Sequence, residues 1–224
     1  MAYDWDFSVV LRSNELLWKG LVATLNLTAV TIAIAVPLGF ILALALLSNI
    51  RMIYWFARAF VDFFRTSALL VLIIWFYFAF PMITGLRVGS FEAAALALGL
   101  QNSAYLAEVF RAGITSVARG QWEAGRALGL HLIPLFWLII APQAIRPIIP
   151  VLVNVLSEII KGTSLAAAIA YAELAFQGSM VASTTYRPLE TYTIVAALYF
   201  VVIFLLNQLA SYLERRLGRN EVRA

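Results

Sequence analysis

The sequence predicts an all-α integral membrane protein of about five transmembrane helices, on three observations. Of its 224 residues 63% are hydrophobic and only 12% charged, with a mean hydropathy of +0.90. The few charges are gathered so that long uncharged runs lie between them. The basic residues cluster between alternate runs. A soluble domain carries about 45–50% apolar and about 25% charged residues, so a water-soluble enzyme of this length would have too little polar surface to cover its core. A bilayer accepts the composition, because a helix of roughly 20 mainly apolar residues spans it.

The elements follow in order. Residues 1–19 begin with acidic and aromatic side chains (Asp4, Trp5, Asp6). No basic-then-apolar stretch with a small-residue cleavage site follows, so no cleaved signal peptide is expected. The first span is Gly20 to Leu47, the second Thr66 to Leu86. The third is Ala93 to Ala107, reaching about Gly113 if Glu108 and Arg111 are tolerated. The fourth, Leu132 to about Ile160, is expected to be interrupted or tilted near Pro147 and Pro150, and the fifth is Thr191 to Leu213. The transmembrane domain is thus 20–215, with a tail at 216–224. Leu165 to Ala172 is apolar but too short to cross. It follows Lys161-Gly162-Thr163-Ser164, read as a polar break that a half-helix or re-entrant segment accommodates.

Arginine and lysine placement sets the orientation. The segments before the first span and after the second and fourth hold four basic residues (Arg12, Lys19, Arg87, Arg187). Those after the first, third and fifth hold ten (Arg51, Arg58, Arg65, Arg111, Arg119, Arg126, Arg215, Arg216, Arg219, Arg223). The N-terminus is expected outside and the C-terminus in the cytoplasm. The net charge of +4 and the pI of about 9.6 are therefore a topology signal, and nucleic acid is not an expected partner.

Function is sought in polar residues out of place in such a chain. Glu123, Ala124, Arg126, Ala127 and Leu128, in the connection after the third span, are good helix formers, with Gly129 placed as a stop. Glu123 and Arg126 stand one turn apart for pairing, and such a helix at about 118–131 can simply lie on the membrane surface. Charges at bilayer depth are costly and face a cavity or a partner. Glu108 and Arg111, at i, i+3, read as a structural ion pair. Glu158 and Lys161 have the same spacing and read either as a structural pair or as substrate contacts. Thr163 and Ser164, with backbone N–H groups freed at the start of a short helix, offer a carboxylate site. Asn102 and Asn154 read as helix–helix hydrogen bonders or ligands. Trp5, Trp18, Trp55 and Trp75 read as interfacial anchors. Glu173, Arg187 and Glu190 read either as solvated loop charge or as a docking surface. His131, the one histidine, has no cysteine or second histidine to complete a metal site. Neither Lys19 nor Lys161 follows a glycine, so the chain holds no phosphate-binding loop. It is expected not to be an enzyme and to need no cofactor of its own.

Glu123-Ala-Gly-Arg-Ala-Leu-Gly129, followed by Ile139-Ile-Ala-Pro-Gln143, resembles the "EAA" signature of permease subunits of bacterial ABC importers. The likeness continues in Asn102-Ser-Ala-Tyr-Leu-Ala-Glu108-Val-Phe-Arg111-Ala-Gly, Gly120-Gln121-Trp-Glu, Pro142-Gln-Ala-Ile-Arg146-Pro, Lys161-Gly162-Thr163-Ser164-Leu165, Ala172-Glu-Leu174 and Glu214-Arg-Arg216. These are similar in order and spacing to the polar amino acid branch, and they run through nearly the whole chain. Trp55-Phe-Ala-Arg-Ala-Phe, Phe64-Arg65 and Trp75-Phe-Tyr-Phe resemble the glutamate/aspartate permeases within it.

The resemblance implies a type I ABC importer permease in the bacterial inner membrane, working by alternating access on polar amino acids. Its implied partners are two ATPase subunits that bind ATP and magnesium, a second permease, a periplasmic solute-binding protein and the surrounding lipid. It implies coupling to the ATPase through Gln121, Glu123, Ala124, Arg126, Ala127 and Gly129; the candidate substrate pathway, read from the polar residues of the spans, runs past Asn102, Glu158, Lys161, Gly162, Thr163 and Ser164. Two departures stand out. Arg65-Thr-Ser-Ala68 lacks the family's proline, and Gly162 replaces an acid. If that acid holds the substrate's amino group, its loss points to a non-identical second permease that carries the site. The alternative classes are a stand-alone ion-coupled carrier or channel, which needs no docking helix, and a membrane-bound enzyme, for which no nucleophile, base or metal set is visible.

Overall fold

A computed structural model describes residues 3–218, with side chains to 211. Residues 219–224 of the expected tail, with Arg219 and Arg223, lie outside the described residues. The described residues form ten α-helices, one π segment and one 3-10 segment: α1 (Phe7–Leu11), α2 (Asn14–Leu46), α3 (Arg51–Thr66), α4 (Leu69–Thr84), α5 (Ser90–Thr115), α6 (Arg119–Ala127), α7 (Leu132–Leu135), π (Phe136–Ile140), α8 (Ala141–Gly162), 3-10 (Thr163–Ile169), α9 (Leu174–Thr185) and α10 (Pro188–Gly218).

Three stretches are each long and apolar enough to cross a membrane: α2, the contiguous segment Leu132–Ile169, and Pro188–Ser211. The pair α3–α4, bent by 104°, passes the same test only when taken together, as a broken span or a re-entrant loop. The expected third span lies in α5, which at 26 residues is about 39 Å long but carries Glu92, Glu108 and Arg111 and is not among the stretches apolar enough to cross. It can afford them because it is the central helix, packed against α2, α3, α4 and α8. Its small residues make that possible: Ala93, Ala94, Ala97, Ala104 and Ala107 are fully buried. The contact with α2 is so close that a Cβ on Gly39 would lie 2.8 Å from the Leu106 Cβ. Leu27, Leu72, Ile73, Phe76, Leu98, Ala166 and Ile169 form the core where α2, α4, α5 and the 3-10 segment meet.

Three expectations are corrected, and the segment between the first two expected spans is filled in as helix. The Arg51–Arg65 stretch is an amphipathic helix, with Met52, Trp55, Phe56 and Phe63 exposed and Ala57 and Val61 buried, and the chain turns sharply after it at Ser67-Ala68. Pro147 and Pro150 do not interrupt the fourth span, since α8 runs through both. The irregularity comes earlier, where the Ala141 N–H reaches back five residues to Phe136 O. Pro142, the next residue, has no N–H for an i−4 bond, and the wider π register spaces the turn around its ring. There is no break at Lys161–Ser164 either. The Thr163 N–H bonds Ile159 O, and the Thr163 and Ser164 hydroxyls donate to Ile160 O and Lys161 O. The helix therefore tightens to 3-10 and ends at Ala170 (φ 56°), so Leu165–Ala172 is not a separate half-helix and offers no free N-terminus to a carboxylate. Finally, the glutamates at 173 and 190 are not solvated loop charge. Glu173 and Glu190 are both 0% exposed, and the region between them is largely α9.

Candidate functional site

The first candidate surface is α6. Its C-terminus is closed by two bonds, Gly129 N–H to Arg126 O at 2.9 Å and Leu130 N–H to Gly125 O at 3.1 Å. Gly129 stands at φ +74°. This is the Schellman stop, for which glycine is suited because an L side chain is strained there. Gln121, Glu123, Ala124, Arg126, Ala127, Leu128 and Gly129 are all exposed. Glu123 pairs with Arg119 at 3.8 Å, not with Arg126, among the described residues. Gly125 is the one buried residue of the helix. A Cβ there would lie 2.2 Å from Leu135 Cδ1, so α6 is seated on α7 at this glycine. Trp122 packs beside it on Ile114, Val117, Leu135, Ile140 and Ala144. Gln143 Nε2 reaches Gln121 Oε1 at 3.4 Å. The outward face of α6 is thus free, while its inner face is keyed to the start of the Leu132–Ile169 segment. Gly125 was not singled out from sequence; its position between Trp122 and Arg126 in a helix with one buried face is the signal.

The second candidate is a cleft of about 610 Å³ between α5 and α8, closed by Leu69 and the 3-10 segment. Small-molecule sites are typically about 300–1,000 Å³. Asn102, Glu158, Lys161, Gly162 and Ser164 line it, joined by Gln101, Tyr105 and Asn154. Thr163 does not, being fully buried on the other side of the helix. Lys161 Nζ stands 2.8 Å from Glu158 Oε1, and both side chains are more than half exposed. A Cβ at Gly162 would meet Leu98 Cδ2 at 3.2 Å and Leu69 Cδ2 at 3.3 Å, so a side chain there is crowded.

Gln101 and Tyr105 hold the neighbouring bend. Gln101 Nε2 donates to Ser67 O at 2.7 Å and Phe64 O at 3.3 Å, and the Tyr105 hydroxyl donates to Arg65 O at 3.1 Å. The carbonyls freed where α3 ends and the chain turns are satisfied from α5. Below them, Glu108 collects three guanidinium groups: Arg111 at 2.7 Å, Arg58 at 3.0 Å and Arg65 at 3.6 Å. Arg58 also holds Asp62 at 2.9 Å. Sequence spacing yields only the Glu108–Arg111 pair; the other two partners come from the amphipathic helix α3, far from Glu108 along the chain.

The buried glutamates Glu173 and Glu190 are tied into the fold by hydrogen bonds. Glu173 caps α9, accepting from the Ala175 and Phe176 N–H groups and from the Tyr199 hydroxyl at 2.7 Å. Glu190 accepts from Tyr3 at 2.6 Å, the Asp6 N–H at 3.1 Å and Arg187 at 3.2 Å. The hydrogen bond to Glu190 pushes the Tyr3 phenol above its usual range. Asp6, the α1 cap, is held below the usual carboxylate range by the Ser8 hydroxyl and N–H.

The sequence profile of the family described as "binding-protein-dependent transport system inner membrane component" matches residues 35–219. The arginine transport system permease protein of Bacillus subtilis (strain 168) is 31% identical, over 96% of this chain and 99% of its own length. A glutamate/aspartate import permease protein of Escherichia coli is 33% identical, over 96% and 99%. Among solved structures, an amino acid ABC transporter crystallised with histidines superposes with a TM-score of 0.88 at 36% identity, covering 96% of this chain and 100% of that one. A methionine ABC transporter in inward-facing conformations shares the fold, with a TM-score of 0.74 at 20% identity over 90% and 96%. With this profile, these relatives and its multi-pass helical build, the chain belongs to the inner membrane components of binding-protein-dependent transport systems.

Proposed function

We propose that the protein is one of two permease subunits of an ATP-driven importer of polar amino acids, glutamate and aspartate in the first place, with its N-terminus outside and its C-terminus in the cytoplasm. The carrying observation is that one contiguous helical segment, Leu132–Ile169, bears the α6 seat at Leu135 at one end and the Glu158–Lys161 pair of the cleft near the other. Movement of a partner ATPase against the exposed face of α6 is thereby delivered to the cleft along a single element. The ATPase supplies ATP hydrolysis, and a solute-binding protein supplies substrate from outside.

The Glu158–Lys161 pair suits a zwitterion. An amino acid presents a carboxylate and an ammonium group, and each can exchange partners with one member of the pair, so no charge is left bare when the cleft is empty or when it is full. Asn102, Asn154 and Ser164 supply further polar contacts. The crowding around Gly162 supports a non-identical second permease that carries an acid at the matching place. A stand-alone carrier has no comparable observation in its favour.

Two variants test the coupling role in membrane vesicles: Glu123→Lys reverses a charge on the exposed face, and Gly129→Val puts a β-branched residue at φ +74°. Each is expected to insert normally and to lose uptake while ATP hydrolysis continues. Normal uptake by both would contradict the proposal.

A further inference from the structure

The cleft is not the end of the groove between α5 and α8. A second chamber of about 570 Å³ continues it toward α6, lined by Arg65, Tyr105, Glu108, Ala112, Gly113, Ser116, Ile148, Val151 and Val155 among others. The two chambers share Tyr105, Val151 and Val155, which form an apolar neck. From Asn102 in the first chamber to Glu108 in the second is six residues of α5, about 9 Å along the axis.

The second chamber holds a loosely engaged cation. Around Glu108, three guanidinium groups face two carboxylates, leaving one net positive charge. Arg111 is held closest, and Arg58 has Asp62 as a second partner, whereas Arg65 stands farthest from Glu108, at 3.6 Å. Its guanidinium lies 5.6 Å from the centroid of the Tyr105 ring, at the neck. Neither Arg58 nor Arg111 lines the chamber.

Resting on the reading that this groove carries an amino acid, we infer that Arg65 is a second carboxylate-binding station, which takes the substrate's carboxylate from Lys161 through the Tyr105 neck on the way toward α6. A carboxylate leaving Lys161 passes Val151 and Val155, which cannot solvate it, and the next cation it meets is Arg65. The planar guanidinium offers two parallel N–H donors to a carboxylate. Glu108 keeps the group from lying uncompensated when the station is empty. The net positive charge also favours substrates with a second carboxylate.

The test uses the complete importer, with its ATPase, second permease and binding protein, reconstituted in proteoliposomes. Uptake of radiolabelled glutamate, aspartate, glutamine and arginine is measured together with ATP hydrolysis stimulated by loaded binding protein. Arg65→Gln is expected to keep stimulated hydrolysis within about twofold of wild type while uptake per ATP falls at least tenfold. Arg65→Lys is expected to recover at least a third of the uptake, as a cation without the fork. Arg111→Gln, which removes the closest Glu108 partner but no cation from the chamber, is expected to keep uptake per ATP within about twofold. Proportional loss of hydrolysis and uptake in both Arg65 variants would make Arg65 a structural part and overturn the station. Unchanged uptake in Arg65→Gln would overturn it too, with the amino acid reading intact. Failure of the wild-type complex to move any of the four amino acids would overturn that reading, and the station with it.

Discussion

The seat of α6 on α7 is a single glycine, and adding one methyl group there is a sharp perturbation. In Gly125→Ala the new Cβ would lie 2.2 Å from Leu135 Cδ1 and 3.5 Å from Ile139 Cδ1. Carbon atoms rest at about 3.5–4.0 Å, so one side must give by more than an ångström. Leu135 is 0% exposed and shares its cluster with Ile114, Val117, Ile140 and Ala144, so it has little room to rotate. Overpacking of this kind costs about 1–3 kcal/mol, while alanine returns up to about 1 kcal/mol of helix propensity. The net, about 0–2 kcal/mol against the seated position when the full propensity gain is counted, raises the population of lifted α6 by up to roughly 30-fold. Gly120→Ala is the matched control, since nothing lies within 4 Å of its Cβ. Hydrogen–deuterium exchange of the 119–130 amides reads the lifting directly, and uptake per ATP reads its consequence. Faster exchange with poorer coupling in Gly125→Ala, and neither in Gly120→Ala, is expected. Wild-type exchange in Gly125→Ala would refute the idea that close packing at this glycine holds the helix.

Three further outcomes follow from the same geometry. Gln101→Leu strips the Ser67 and Phe64 carbonyls of their donor at the 104° bend and is expected to cost about 1–3 kcal/mol, read as a lowered thermal midpoint in lipid nanodiscs. Glu173→Ala removes the acceptor for two N–H groups and the Tyr199 hydroxyl. It is expected to be the more damaging of the two and to speed amide exchange over 174–185. Asp6 has its folded-state carboxyl held low by Ser8, so its capping of α1 is present above the ordinary carboxylate range and is lost as pH falls through the lowered value. Exchange at residues 7–11 should therefore rise in acid, and Asp6→Asn should remove that dependence.

The multi-pass helical build was legible because several apolar runs are long against the bilayer, and the α6 stop because glycine at the end of a helix-forming run has one common use. What escaped the sequence has a common physical cause. The amphipathic helix α3 alternates charge and aromatic side chains, so hydropathy averages it away, and with it two of the three partners of Glu108. The polar run Lys161–Ser164 looked like a break because threonine and serine disfavour helix interiors, but here their hydroxyls return to carbonyls three residues back and keep the helix going. Glu173 and Glu190 flank α9 and the turn after it, and nothing in their neighbours along the chain signals the Tyr199 and Tyr3 hydroxyls that reach them across the fold. The α5 contacts of Gln101 and Tyr105 are likewise long-range, made to a bend that sequence spacing does not reveal.

The most direct test of the account is co-purification of the chain with the ATPase and second permease, followed by ATP hydrolysis in lipid with and without amino acid-loaded binding protein. The account predicts a stable assembly whose hydrolysis rises with glutamate- or aspartate-loaded binding protein and whose response to loading is weakened by Gly125→Ala. A chain that recruits no ATPase in lipid, or an assembly indifferent to every loaded binding protein, would contradict it.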